Sequence, residues 1–449
     1  MIYYPQRKFT FYGREFMRKF KSVALHVIAF VCTVVSLWLL LVLSSSIPNN
    51  LIKNTIEKSA LTYKNKEAFS SENGDKLNAV ADNYADSILL NVTWNMGEGN
   101  PFISSLDTKY NDGGEYGENA GLYLSVTEGA KPNTDYTRYW HGSAMLLRPF
   151  HLVFSVDGIK LIGLIAALLL ALLCILMLLR RKHYGLAISL ALSLAAVHIW
   201  NIRLSLEYQP CFIICLIMCL LFLYFERKST VFLTYLSVIG GTLVAFFDFL
   251  TTETMVILLP LILTFTVRAK ENRLGDFKSN IKLLIKCGLC FLLAYGGTFI
   301  AKWAIASLVT GENKFILAFA SAEERVGGSL ANEGINNPIM QIILAPIANL
   351  TVLFGGSSRV DIARVFVGFL LSAMVLGSVL YLFKKKADNK TILWLLSILG
   401  LVVFARYILL NNHSYLHEFF TYRALVSPIM AIFSAIALSC VSSEKGAKK

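Results

Sequence analysis

Val23 to Leu43, VALHVIAFVCTVVSLWLLLVL, holds no carboxylate, lysine or arginine. At about 20 residues and 1.5 Å of rise per residue, a helix of this stretch is long enough to cross the ~30 Å of bilayer hydrocarbon. Arg7, Lys8, Arg14, Arg18, Lys19 and Lys21 precede it, and basic residues flanking a span stay on the cytoplasmic side. The run therefore reads as a first span with its N-terminus in the cytoplasm. A cleaved signal peptide fits less well, because Ser44-Ser45-Ser46-Ile47-Pro48 is a poor cleavage site.

The rest of the chain agrees with a membrane as solvent. Of its 449 residues, 55% are hydrophobic and only 16% charged, and the mean hydropathy is +0.58, outside the range of ordinary soluble domains. The net charge of +13 sits in short clusters after apolar runs, which reads as a topology signal and excludes nucleic acid as the partner. The eight cysteines fall in or beside apolar segments, so no disulfide framework is expected. Cys211, Cys215 and Cys219 share one helical face and read as small packing residues.

Further spans are expected at 161–179, 185–202, 210–225, 231–250, 254–268, 284–308, 364–383, 391–410 and 424–441, which makes about ten. With the N-terminus inside, the clusters Arg180-Arg181-Lys182, Glu226-Arg227-Lys228, Arg268 to Lys286, Lys384-Lys385-Lys386 and Lys445, Lys448, Lys449 all fall inside. The expected fold is thus an all-α polytopic membrane protein, multi-pass in the cell membrane with both termini cytoplasmic. Residues 1–44 form the cytoplasmic N-terminus and first span, 45–160 a large extracytoplasmic loop, and 161–449 the multi-span domain. Ile339 to Leu353 reads as a re-entrant or interfacial helix, because an eleventh span would put Lys384-Lys385-Lys386 outside. Within the loop, Leu51 to Phe69 and Ser143 to Asp157 have amphipathic helical spacing, and Met96 to Asp135 is rich in turn formers.

Ionisable groups near hydrocarbon are costly and mark candidate sites. On the outer face this picks out Asp82, Asp86, Arg138, His141, Arg148, Asp248, Glu253, Arg325, His413, His417 and Arg423, with Lys302 and Arg406 inside spans. Asp82 and Asp86 lie four apart, on one face of a helix. Transfer of a sugar from a polyprenyl phosphate needs one base for the acceptor hydroxyl and cations for the leaving phosphate. Asp82 suits the first role; Arg138, His141, Arg325, His417 and Arg423 suit the second. Trp94, Tyr139 and Trp140 are candidates to stack on sugar faces, and Asp248 is the expected partner of Lys302. His413 and His417 are followed by Glu418 without the HExxH order, so no metal ligands are assigned.

One early span, a large outer loop with an early Asp, and many later spans resemble the GT-C class of membrane glycosyltransferases. Arg138-Tyr139-Trp140-His141-Gly142, Phe247-Asp248-Phe249-Leu250-Thr251, Lys302-Trp303 and His413 to Arg423 are similar to polytopic envelope-polysaccharide proteins of Gram-positive bacteria placed in that class. The resemblance implies a polyprenyl-phosphate sugar donor, a glycan or lipid-linked acceptor, and an Asp of the first outer loop as catalytic base. Asp82 matches that position best and Asp86 second. Paired adjacent acidic residues, carried by some members, are missing, which leaves a divalent metal requirement open. Two other functions fit the composition: an O-antigen-type polymerase or ligase, and a polysaccharide or lipid transporter. The first tends to place its large loop late. The second calls for broken helices near the midplane.

Overall fold

The computed structural model describes residues 6–356, Phe366 and residues 390–446, the stretches 6–19 and 440–446 by their backbone alone. The span expected at 364–383 and the Lys384-Lys385-Lys386 cluster lie outside the described residues. The chain is predominantly helical, with α1 (Gln6–Ser45), α2 (Asn49–Tyr63), α3 (Asn83–Asn95), α4 (Pro101–Ser104), α5 (Gly117–Tyr123), α6 (Ala144–Phe150), α7 (Val156–Arg180), α8 (Tyr184–Ala196) and α9 (Gln209–Phe225). There follow α10 (Thr230–Phe247), α11 (Met255–Lys270), α12 (Phe277–Thr310), α13 (Lys314–Gly327), α14 (Pro338–Val352), α15 (Lys390–Leu409), α16 (Asn411–Leu416), α17 (Glu418–Thr421) and α18 (Val426–Gly446).

Among the described residues, six helical stretches are long and apolar enough to cross a membrane: Phe20–Ser45, Val156–Arg180, Thr230–Phe247, Phe277–Thr310, Lys390–Leu409 and Glu418–Ser439. The apolar helices α8, α9 and α14 are shorter. The expected span 185–202 stops early because His198 takes a left-handed φ of 53°, and the chain continues as a 3-10 turn over Ile199–Leu204. A backbone bend of this kind leaves no trace in hydropathy.

The segment between α1 and α7 folds as a packed unit with two small sheets. β1 (Phe69–Ser71) pairs antiparallel with β2 (Val80–Asp82), setting Phe69 opposite Asp82. β3 (Lys109–Tyr110) pairs with β4 (Thr134–Asp135). The helix expected over Leu51 to Phe69 ends at Tyr63, and Phe69 starts β1 instead. The helix expected over Ser143 to Asp157 is split. Pro149 lacks an amide donor near the end of α6, and Ser155 is extended (ψ 171°) as the N-cap of α7.

Arg148 explains much of the unit's cohesion. Its guanidinium is wholly buried and donates to the carbonyls of Ser44 (3.0 Å), Thr93 (2.6 Å) and Ile47, and to Asn49 Oδ1 (3.1 Å). A cation at the carbonyl-rich C-terminal ends of α1 and α3 is favourable. The expectation that Arg148 binds substrate is therefore corrected: backbone acceptors occupy it. Gly142 lets the unit touch α10, because its N–H donates to Phe246 O at 2.9 Å and a Cβ there would fall 2.5 Å from that oxygen.

Candidate functional site

Asp82 ends β2 and caps α3, its carboxylate accepting from the Ala85 N–H at 2.8 Å. Asp and Asn favour this position because their short side chains satisfy the first free amides of a helix. The register with β1 and a bond from Tyr208 Oη to Val80 O (3.2 Å) bring β2 against the start of α9. There the Glu207 carboxyl meets Asp82. The two are buried, hydrogen-bonded to each other, and 3% and 7% exposed.

Two adjacent buried carboxyls do not both ionise readily. Burial pushes Asp82 up to about 7, against the amide cap, the donated Glu207 proton and the charge of Lys160, which favour its ionised form. Glu207 is pushed further above the carboxylate range, by burial first and then by the charges of Asp82 and Asp86. Burial and mutual repulsion thus raise both carboxyls, a pair suited to holding one proton between them.

Asp86 differs, although it lies one turn away. It takes Lys160 Nζ (2.5 Å), Tyr63 Oη (2.8 Å), Ser205 Oγ (2.7 Å) and the Leu206 N–H (2.8 Å). Its oxygens are saturated, so it is corrected from second base candidate to the tie that holds residues 205–206 and sets Glu207 opposite Asp82.

Three guanidiniums are set at two depths about Tyr208 and Tyr136, two rings within electrostatic reach of Glu207. Arg423 is 1% exposed and lies 4.5 Å from the Tyr208 ring centroid; it donates to Phe419 O (3.2 Å) and Asn78 O (3.4 Å). Arg138 lies 4.3 Å over Tyr136, and beside Asp135, Leu317, Ala320, Ser321 and Glu324 it lines a cavity of about 170 Å³. Arg325 on α13 donates to Ser321 O at 3.3 Å. Tyr136 lies between the two depths, under Arg138 and within electrostatic reach of Arg325 and the Glu207 carboxyl. Each of the three arginines keeps a buried Nε with no acceptor. A buried donor without a partner costs about 1–3 kcal/mol, and three such donors on cations leave unspent capacity to hold an anion.

The histidines behave otherwise. His141, at φ 55°, donates from Nε2 to Tyr136 O (2.8 Å) and packs on Tyr136 and Phe249. Burial drives it down to about 3, so it is neutral and is corrected from phosphate cation to packing group. His413 donates to Leu250 O (3.0 Å), and burial with the charges of His417, Arg406 and Arg325 holds it well below its usual value. His417 stacks on Phe420 at 5.2 Å and lies 4.7 Å from His413, within the same wall of the site.

The remaining candidates hold the frame. Asp248 accepts from the Thr251 N–H (2.9 Å) and hydroxyl and closes the turn after α10. Arg406 pairs with Glu253 (3.0 Å) and donates to Leu250 O (2.6 Å). Lys302 does not meet Asp248; its Nζ donates to Ser105 O (3.1 Å) and Leu106 O (2.7 Å), carbonyls that no sequence pattern advertises. Trp140 is fully buried with its indole N–H on Thr298 O (2.7 Å), and Trp94 and Tyr139 are also buried, so none of the three offers a face to a sugar.

Glu207, Tyr136 and Tyr208 escaped the sequence reading. Glu207 did carry a signal, being a carboxylate directly before the apolar run of α9. Among the described residues no group of three or more His, Cys, Asp and Glu side chains is arranged to hold a metal ion. Compared with protein families, curated proteins and solved structures, the chain matches none.

Proposed function

We propose that this chain is a multi-pass membrane glycosyltransferase that moves a sugar from a polyprenyl-phosphate donor to a glycan or lipid-linked acceptor on the outer face of the cell membrane. The observation that carries the reading is the buried carboxyl pair Asp82 and Glu207, both raised by burial, in a region where three arginines keep buried Nε atoms with no acceptor. In this reading α8, α9 and α11 join the six longer helices as spans, and the tenth expected span lies outside the described residues. Both termini are then cytoplasmic, and α14, with Pro346 inside it, is re-entrant or interfacial.

The chemistry needs what the site offers. The acceptor hydroxyl oxygen attacks the anomeric carbon, the bond from that carbon to the phosphate oxygen breaks, and the hydroxyl proton passes to Asp82. The lipid phosphate leaves with the bonding electrons, and Arg138, Arg325 and Arg423 meet its growing charge with their free donors. Glu207, keeping its proton, steadies the Asp82 carboxylate without competing for the base role. A transporter reading finds less support, since the charges gather at one junction of loop and helix ends.

Transfer of radiolabelled sugar from a polyprenyl phosphate by the purified full-length protein tests this. Asp82→Asn, which keeps the cap and removes the proton acceptor, is expected to lower transfer by about 10²–10⁴-fold. Near-normal transfer by folded Asp82→Asn protein would remove Asp82 from the mechanism.

A further inference from the structure

Two aromatic rings flank Asp82 and have no part in the transfer step. Phe69 lies opposite Asp82 in the strand register, and Tyr84 follows two residues after it. Their centroids are 6.2 Å apart with planes only 30° from parallel, so the rings lie side by side as one ledge. Phe69 is 43% and Tyr84 36% exposed. Their backs are fixed. Phe69 rests edge-on against Phe419 at 5.4 Å, and the Tyr84 N–H donates to Ala68 O at 3.0 Å.

Large aromatic rings held rigidly and left exposed are suited to binding rather than to stability. An aromatic face is electron-rich, and it attracts the weakly positive C–H groups on the face of a pyranose while polar groups at the rim take the hydroxyls. We propose that Phe69 and Tyr84 form the acceptor subsite, stacking a pyranose ring of the acceptor glycan so that its hydroxyl is presented to Asp82. The proposal rests on the transferase reading for the identity of the ligand. It differs from the sequence expectation in which aromatics are used, because Trp94, Tyr139 and Trp140 are packed inside.

Two measurements on the full-length protein test the ledge separately from the chemistry. In the transfer assay, the double variant Phe69→Ala/Tyr84→Ala is expected to raise the acceptor KM about tenfold, equivalent to about 1.4 kcal/mol, with the donor KM unmoved. Phe69→Tyr/Tyr84→Phe, which keeps both rings, should bring the acceptor KM back to within about threefold. Saturation-transfer NMR with the methyl glycosides of glucose, galactose, mannose and rhamnose should show contact at ring-face protons in the wild type and lose it in the double alanine variant. An unmoved acceptor KM, or contact that persists without the rings, overturns the ledge. Silence from all four glycosides overturns it as well, even where wild-type transfer upholds the transferase reading. Conversely, glycoside contact in a protein that transfers from no polyprenyl-phosphate sugar leaves the ledge standing and defeats the transferase.

Discussion

Two clusters of acids and arginines sit at helix ends in this molecule, and they are built on opposite principles. At the ends of α9 and α11, Glu226 meets Arg181 (3.2 Å), Arg268 (3.2 Å) and Arg273 (2.8 Å), while Glu271 meets Arg227 (2.5 Å), Arg273 and His183 (3.0 Å). Every acid there faces cations, and Glu226 and Glu271 are held below the usual carboxylate range. Around Asp82 the matching is reversed. Acid faces acid, the arginines lie over Tyr136 and Tyr208, and guanidinium donors are left over. Both clusters are rich in charge, but only the second is incomplete by itself. Composition does not distinguish them; pairing does.

The sharpest way to break this contrast is to neutralise one acid in each. Asp82→Asn should abolish most transfer, by the 10²–10⁴-fold given above, while leaving the unfolding midpoint in detergent close to wild type. Glu226→Gln should do the converse. It strands buried guanidiniums and is expected to cost about 3–5 kcal/mol of stability, measured by denaturant unfolding, with transfer per folded molecule unchanged. Equal stability losses in the two variants would show that the Asp82 cluster is a structural network like the other.

Asp86→Asn should resemble Glu226→Gln more than Asp82→Asn, since Lys160 would lose its charged partner. The expected loss is a few kcal/mol of stability, with transfer reduced only as Glu207 drifts. A larger catalytic loss in Asp86→Asn than in Asp82→Asn would move the base by one helical turn.

Acid–base behaviour sharpens the contrast further. Asp82 must be ionised to accept a proton, so kcat/KM should rise with pH and level off above about 7. Glu207→Gln, which still donates a hydrogen bond, should keep that limb near its place. Glu207→Leu removes the donor and should move the limb upward. A limb that stays put in Glu207→Leu would take Glu207 out of the site.

The smallest expected effects are in stability, with opposite signs at the two clusters. Asp82 has its folded value raised, so its stabilising contribution is fully present below the ordinary carboxylate value of about 4 and is lost as pH rises through about 7. Glu271 is lowered to about 2, so its contribution is present above the ordinary value and is lost as pH falls towards about 2. Unfolding of wild type, Asp82→Asn and Glu271→Gln across this range should show each variant losing one side of the profile.

How far the sequence foretold this is uneven. Apolar runs located the six long apolar helical stretches, because hydrocarbon length leaves a mark in composition, whereas α13, an amphipathic helix that carries Arg325, fell in no expected element. Asp82 stood out as a carboxylate beside an apolar stretch, and Glu207 met the same criterion without being chosen. Burial was the part that could not be read. His141 and His413 looked like cations and are neutral inside the fold, and Lys302 and Arg148 spend their charge on backbone carbonyls, which every residue possesses. Nor does anything in Phe69 or Tyr84 as a residue type say that its ring is left uncovered while Trp140 is enclosed.

The acceptors of Arg148, at residues 44, 47, 49 and 93, all precede it in the chain. The first third of the protein therefore holds, by itself, everything that this clamp requires. Asp82 has no such independence: Glu207 comes from the middle of the chain, and Arg325 and Arg423 come from its later part. During synthesis the clamp is complete long before the pocket is. A chain cut after α7 would carry Asp82 and the Arg148 anchorage and still lack Glu207, Arg325 and Arg423, so folding of the first third does not wait for the charge cluster to be completed.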